Sequence, residues 1–287
     1  MKRIMMLSMA FTIQIFLFTD CQAIDEEITS GNVLTRAATV TETPLEIIRQ
    51  AYLFAMPVVY MDVTRASYSI PDNYFYTADK LPDYNYKNVV AVNIDTNYSI
   101  AFLKLEDGPV MFEIPDIGDR YYTYPIMDAW TNNFVIPGTR LTGNGPQKYF
   151  ITGPDWTGEI PAGYTLITSP TNLAWLDGRV QVNSPADLEE TVLPLQNQFT
   201  LVSVNPPSTA GRPSDKYVPA DFGGKSVVQV IKEMPLEDYF NYFNELLELN
   251  APFAEDSVIL QKMATVGIGA GKIFAIADFD VDTQQAL

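Results

Sequence analysis

Between Val89 and Val204 short runs of β-branched and aromatic residues follow one another, each closed by a turn signal. No chain without a β-sheet core accommodates that pattern. The runs are Val89–Leu105, Val110–Ile114, Tyr121–Ile126, Tyr149–Thr152, Tyr164–Thr168, Arg179–Val182 and Phe199–Val204, with Asp107-Gly108 and Thr142-Gly143-Asn144-Gly145 among the turns. So many short strands at close spacing predict an antiparallel β-sandwich or barrel. Ser184-Pro185-Ala186-Asp187 opens a helix among them, limited by Pro194.

Helical periodicity flanks this region. Thr43-Pro44-Leu45-Glu46 combines a capping threonine, a proline suited to the first turn and a glutamate three residues after the cap. Ile47, Ile48, Ala51, Tyr52 and Ala55 recur at helical spacing, and Pro57 is expected to kink or end the helix, with a second piece reaching Arg65. Helices return over Ser226–Glu233, over Pro235–Leu249 with Leu236, Phe240, Phe243 and Leu247 on one face, and over Asp256–Val266 up to Gly267. The class is α+β, with a helical subdomain assembled from N- and C-terminal segments. The expected boundaries are a helical segment and Tyr-rich loop at 42–85, the sandwich at 86–205, a Pro- and Gly-rich linker at 206–224, and a helical segment with an acidic tail at 225–287.

Residues 1–23 read as a signal peptide. Lys2 and Arg3 precede an apolar stretch, Ile4–Phe18, too short for a membrane span, and Cys21-Gln22-Ala23 places small residues for cleavage after Ala23. The expectation is an exported, periplasmic or secreted protein that meets a membrane only through its signal. Lipid anchoring at Cys21 and an uncleaved anchor are the alternatives, and Asp20 beside the cysteine disfavours the former. Residues 24–41 form a polar lead-in.

Composition removes whole classes of chemistry. The 287 residues include no histidine and one cysteine, so Ser-His-Asp and Cys-His machinery, histidine-bearing metal sites and an intrachain disulfide are excluded. No cofactor and no metal are expected. Lys+Arg number 18 against 35 Asp+Glu, and this net charge of -17 argues against nucleic acid as a partner. Asp278-Phe279-Asp280-Val281-Asp282 starts like a calcium loop but has Thr283 where glycine is needed, so it reads as a frayed acidic tail. Gly267-Ile268-Gly269-Ala270-Gly271 follows a helix, not a strand, and reads as a helix stop. The sequon Asn97-Tyr98-Ser99 falls within a strand and is discounted.

Turn-placed polar residues concentrate in three segments. The first is Asn93-Ile94-Asp95-Thr96-Asn97-Tyr98-Ser99. The second runs from Asp116 to Tyr122, then Asp128-Ala129-Trp130-Thr131-Asn132-Asn133 and Gly138-Thr139-Arg140. The third is Ser169-Pro170-Thr171-Asn172-Leu173-Ala174-Trp175 with Gly178-Arg179. Together these motifs, within a stretch from Ala51 to Gly271, resemble an exported bacterial family catalogued as domain of unknown function 1254. The resemblance implies an immunoglobulin-like β-sandwich with a separate helical subdomain, and no established activity. Family members often carry a second, jelly-roll domain; this chain ends at Leu287, where that domain is expected to begin.

As chemistry, Asp95 and Asp128 are candidate catalytic residues, because two carboxylates suffice for histidine-free glycoside hydrolysis. Arg140 and Arg179 suit an anionic group or a nearby carboxylate. Trp130 and Trp175 offer apolar faces, and Asn93, Tyr98, Asn132 and Asn172 complete the candidate ligand-binding set. Tyr74, Tyr76, Tyr84 and Tyr86 form a further aromatic group, more readily explained by loop packing. The competing reading is structural, since Asp, Asn and Thr at strand ends commonly cap turns through their own backbone. Three functions follow: a cell-envelope binding module for a small or carbohydrate-like ligand, which is favoured; a carboxylate hydrolase; and an interaction subunit whose partner is a separate second domain.

Overall fold

A computed structural model describes residues 42–68, 70–83, 93–205, 208 and 211–287. The signal peptide, Cys21, the lead-in, and Tyr84 and Tyr86 lie outside the described residues.

The first helix, α1, spans Pro44–Ser67 and begins as its sequence demands. Thr43 accepts the Glu46 backbone N–H, and the Glu46 side chain accepts that of Thr43 in return. Pro57 does not break the helix. Val58, Val59, Met61 and Val63 beyond it are all buried, so packing holds the second half in line. The Leu53 carbonyl, which loses its partner to the proline, lies on a turn whose own side chain is 72% exposed and open to water.

Ten strands follow. One sheet has the order β1 (Tyr76–Thr77), β2 (Thr96–Lys104), β9 (Leu173–Gln181), β5 (Ile126–Asp128), β6 (Asn133–Val135), with β4 (Tyr122–Thr123) also on β9. The other has the order β10 (Thr200–Ser203), β3 (Val110–Ile114), β7 (Gln147–Thr152), β8 (Thr165–Thr168). All pairs are antiparallel except β7 and β8, which run parallel. This corrects the expectation of an all-antiparallel sandwich. Residues 153–164 cross over between those strands instead of closing a hairpin, which is what parallel pairing requires.

Burial on the long central strands explains the layering. On β2, Ala101 and Leu103 belong to a core shared with Phe112 of β3 and Ile151 of β7, whereas Phe102 between them packs into the helical core. On β9, Ala174 and Leu176 face the second sheet while Leu173 and Trp175 face the helices. The first sheet is therefore a middle layer, covered on one side by the second sheet and, at one end of its other side, by helices.

The remaining helices are α2 (Pro185–Asp187), α3 (Leu193–Gln196), α4 (Pro213–Tyr217), α5 (Val227–Glu233), α6 (Leu236–Leu249), α7 (Ser257–Ala264) and α8 (Val281–Ala286), with a π-helical turn, Leu188–Val192, joining α2 to α3. Gln196 delivers its amide into the first sheet, exchanging hydrogen bonds with Asn97 and donating to Ser99. Asn97 is 1% exposed and its amide is fully engaged, so the sequon is sterically closed.

Of α6, Phe240, Phe243 and Leu247 are buried as expected, and Leu246 joins them while Leu236 is only partly covered. Each such apolar side chain contributes about 1.5–3 kcal/mol when fully buried. Two linker and tail expectations are corrected. Within 206–224, Arg212 and Ser214 are buried, Arg212 pairing with Asp72 at 2.8 Å and Ser214 taking a bond from Arg65. The acidic tail is not frayed: Asp280 caps α8 by accepting the Thr283 N–H. Residues 42–287 form a single compact unit.

Candidate functional site

The first sheet divides into two ends, and the candidate residues divide with it. At the covered end, Asp128 is fully buried at the close of β5. Its Oδ1 accepts the backbone N–H groups of Trp130 and Asn132, both at 2.9 Å, and the Asn132 amide donates to both carboxylate oxygens. This arrangement closes a turn in which Thr131 takes a left-handed φ of 69°. Trp130 is 8% exposed, packed between Phe54 and Phe243, and donates its indole N–H to the Ala251 carbonyl. Asn172 donates to the Leu249 carbonyl at 2.8 Å. Asn172 and Trp130 thus serve carbonyls at and just beyond the C-terminus of α6, where the helix cannot satisfy its own.

Trp130, Asn132 and Asn172 thus spend these polar groups within the protein. The paired-carboxylate expectation fails on placement. The Asp95 carbonyl bonds to Val182 at one end of β9, whereas Asp128 pairs with Ala174 near the other. At about 3.3 Å per residue the two stand roughly 26 Å apart, far beyond the separation a carboxylate pair can use.

The open end is built from all three motif segments. Register sets Tyr98 of β2 opposite Arg179 of β9, and Thr123 of β4 opposite Arg179 from the other side. The Arg179 guanidinium lies 4.9 Å from the Tyr98 ring centre. It also bonds to Asp177, its neighbour on the same face, at 2.6 Å. Burial works against the guanidinium's charge, yet the Asp177 hydrogen bond and charge, with Tyr98 and Tyr121 close by, hold its pKa above the ordinary value. Asn93 braces the entry to β2. Its side-chain oxygen accepts the N–H groups of Asp95 and Thr96, and its amide donates to Thr96 and, at 3.2 Å, to the Tyr98 hydroxyl.

Arg140 arrives from the Gly138-Thr139-Arg140 turn. A Cβ on Gly138 would stand 2.9 Å from the Tyr122 carbonyl oxygen, so only glycine lets this turn lie against β4. Thr139 fastens it by accepting the Tyr122 N–H through its hydroxyl and by donating its own N–H to the Tyr122 carbonyl. Arg140 is thereby set over the Tyr121 ring, 5.9 Å from its centre. Tyr98, Arg179, Tyr121 and Arg140 form a strip of alternating rings and guanidinium groups, with Asp95 exposed at its end. Tyr121 and Asp177 are functional candidates beyond the sequence set. Tyr121 opens the expected Tyr121–Ile126 run, but only the pairing of β4 with β9 shows which face it takes.

Two shallow clefts lie elsewhere, one of about 380 Å³ bordered by Tyr217, Phe222 and Met234 and one of about 520 Å³ beside β10. Neither includes a residue of the strip. Among the described residues no acidic or cysteine cluster has a metal-holding arrangement, and no helix is long and apolar enough to cross a membrane.

Fold and site together define an α+β protein with one antiparallel and one mixed sheet, whose antiparallel sheet leaves a polar-aromatic strip uncovered. Residues 73–203 match the family model described as "Protein of unknown function (DUF1254)". The crystal structure of the VPA0106 protein from Vibrio parahaemolyticus is similar, with a TM-score of 0.62 and 19% identity over 85% of this chain. That likeness is one of fold, and it spans 55% of the other chain's length. No curated protein matches.

Proposed function

We propose that this protein is an exported binding module that receives a small or carbohydrate-like ligand on the Tyr98–Arg179–Tyr121–Arg140 strip. One observation carries the reading: three segments distant in sequence deliver rings and guanidinium groups to the same uncovered strand face. Tyrosine presents a large, stiff contact surface at little entropic cost, and arginine supplies directed donors. Export rests on the basic and apolar N-terminus, and the finer fold reading, an immunoglobulin-like sandwich, rests on the single core that both sheets share. N-terminal sequencing of the secreted protein checks the first, with Ile24 as the expected first residue.

A panel of neutral sugars, sugar acids and small organic acids, screened by thermal shift and by chemical-shift perturbation, tests the binding. The expected result is a hit that perturbs Tyr98 and Tyr121, is lost in Tyr98→Ala and persists in Asp95→Asn. Hits that perturb only residues outside the strip would end the reading.

A second reading, a docking face for a partner domain, is favoured by the helical side. Leu53, Val258, Ile273 and Val281 there are each 65% exposed or more. Light scattering of the isolated chain, alone and mixed with a separately supplied candidate domain, tests it; no association at micromolar concentration would count against it.

A further inference from the structure

We infer that the ligand of this strip is a short acidic saccharide, with its carboxylate held by the guanidinium of Arg140 and its sugar ring lying against the tyrosines. The inference rests on the binding reading and adds the ligand's charge and class.

The two arginines differ in what they have left to offer. Arg179 is half-buried and bound through Nε and Nη2 to Asp177, so its charge is largely answered within the protein. Arg140 is exposed, rests on Tyr121, and makes no hydrogen bond or ion pair with any described residue. Its planar fork of donors is therefore open, in the geometry that matches a carboxylate with two parallel hydrogen bonds. The turn that places it depends on the close approach of Gly138 to Tyr122 and on both Thr139 bonds, so Arg140 starts from an anchored backbone. An anchored base reduces the ordering cost of binding.

Charge limits the ligand's length. The chain carries a net charge of -17, and within the strip, where Asp177 answers Arg179, the Arg140 guanidinium alone is a small cationic island. Screening over about 8–10 Å lets a short anion feel the island more than the whole, whereas a long polyanion would run out over acidic surface. The rings limit its kind. Tyr98 and Tyr121 are half-buried and flank Arg179, an arrangement suited to the flat apolar side of a pyranose.

The test is calorimetric titration of the full chain with a short galacturonate oligosaccharide, with the uncharged galactose oligosaccharide of equal length, and with acetate alone. The acidic sugar is expected to bind about 10-fold or more tightly than the neutral one, the worth of a charge-assisted pair. Arg140→Gln should abolish that preference, and Arg140→Lys should restore only part of it, because a point charge replaces the fork. Equal binding of both sugars, or a preference that survives Arg140→Gln, overturns the acidic assignment and leaves the binding reading standing. Acetate reproducing the whole effect overturns the saccharide assignment. If wild type binds none of the three and the wider panel also gives no hit on the strip, the binding reading itself falls.

Discussion

The two ends of the first sheet carry similar residues and use them oppositely. At one end Trp130 packs into the helical core, and Asp128, Asn132 and Asn172 with it spend their polar atoms on a turn and a helix terminus. At the other, Asn93, Tyr98, Tyr121, Arg140 and Arg179 are held by their own backbones but remain reachable by solvent. An aspartate or tryptophan in a turn motif acquires its role from what lies over it. The helical layer converts one set into scaffold and leaves the other available.

Substitutions should separate the ends sharply. Trp130→Ala removes a ring packed between Phe54 and Phe243 and is expected to cost about 3–5 kcal/mol, read as a lowered urea midpoint. A loss below about 1 kcal/mol would mean the helices do not rest on this ring and would break the division. Asp128→Ala should cost about 2–3 kcal/mol, since two backbone N–H groups lose a charged acceptor in the interior. Asp95→Ala, on the exposed end, should stay within about 0.5 kcal/mol. Equal costs for the two aspartates would show that Asp95 is also structural.

What the sequence made legible follows the same line. Local signals resolved well: the Thr43–Glu46 box, the helix ending at Glu233 and β3 all fall where their residues predict. Short partners did not resolve. β1 and β6 have two and three residues, too few for an alternation to register. β9 was legible only in its last part because Gly178 resembles a turn signal within Asp177-Gly178-Arg179. In the fold it is a mid-strand vacancy for the Tyr124 ring, whose nearest atom would stand 2.2 Å from an added Cβ. The candidate site was half legible. Residue type marked Tyr98, Arg140 and Arg179, but the packing of Trp130 and the bond from Asn172 to the end of α6 depend on the remote helices, which residue type does not reveal.

Smaller changes probe how the open end is held. Gly138→Ala forces the Arg140 turn away from the Tyr122 carbonyl and should cost about 1–2 kcal/mol. If ligand affinity falls with it while Tyr98 stays in place by chemical shift, the turn positions Arg140 as described. Unchanged affinity would sharpen the assignment towards Tyr98 and Arg179.

The smallest expected effect is also the one with a pH signature. Arg120, next to Tyr121, donates to the Gln181 carbonyl at the end of β9 and grips Asp187 with two 2.8 Å bonds. The Arg120 hydrogen bond, with the Asn183 N–H second, holds the Asp187 carboxyl below its ordinary pKa. A carboxylate whose pKa is depressed on folding adds stability above its unfolded pKa of about 3.9 and loses it as pH falls through the folded value. Asp187→Asn should therefore be destabilised at neutral pH by about 1 kcal/mol, with allowance for solvent screening. The gap from wild type should close progressively below about pH 4. Thermal melts at neutral and acid pH read this directly. A deficit that persists undiminished at acid pH would assign the loss to the amide's geometry, and β9 would then owe its fixed end to shape rather than to charge.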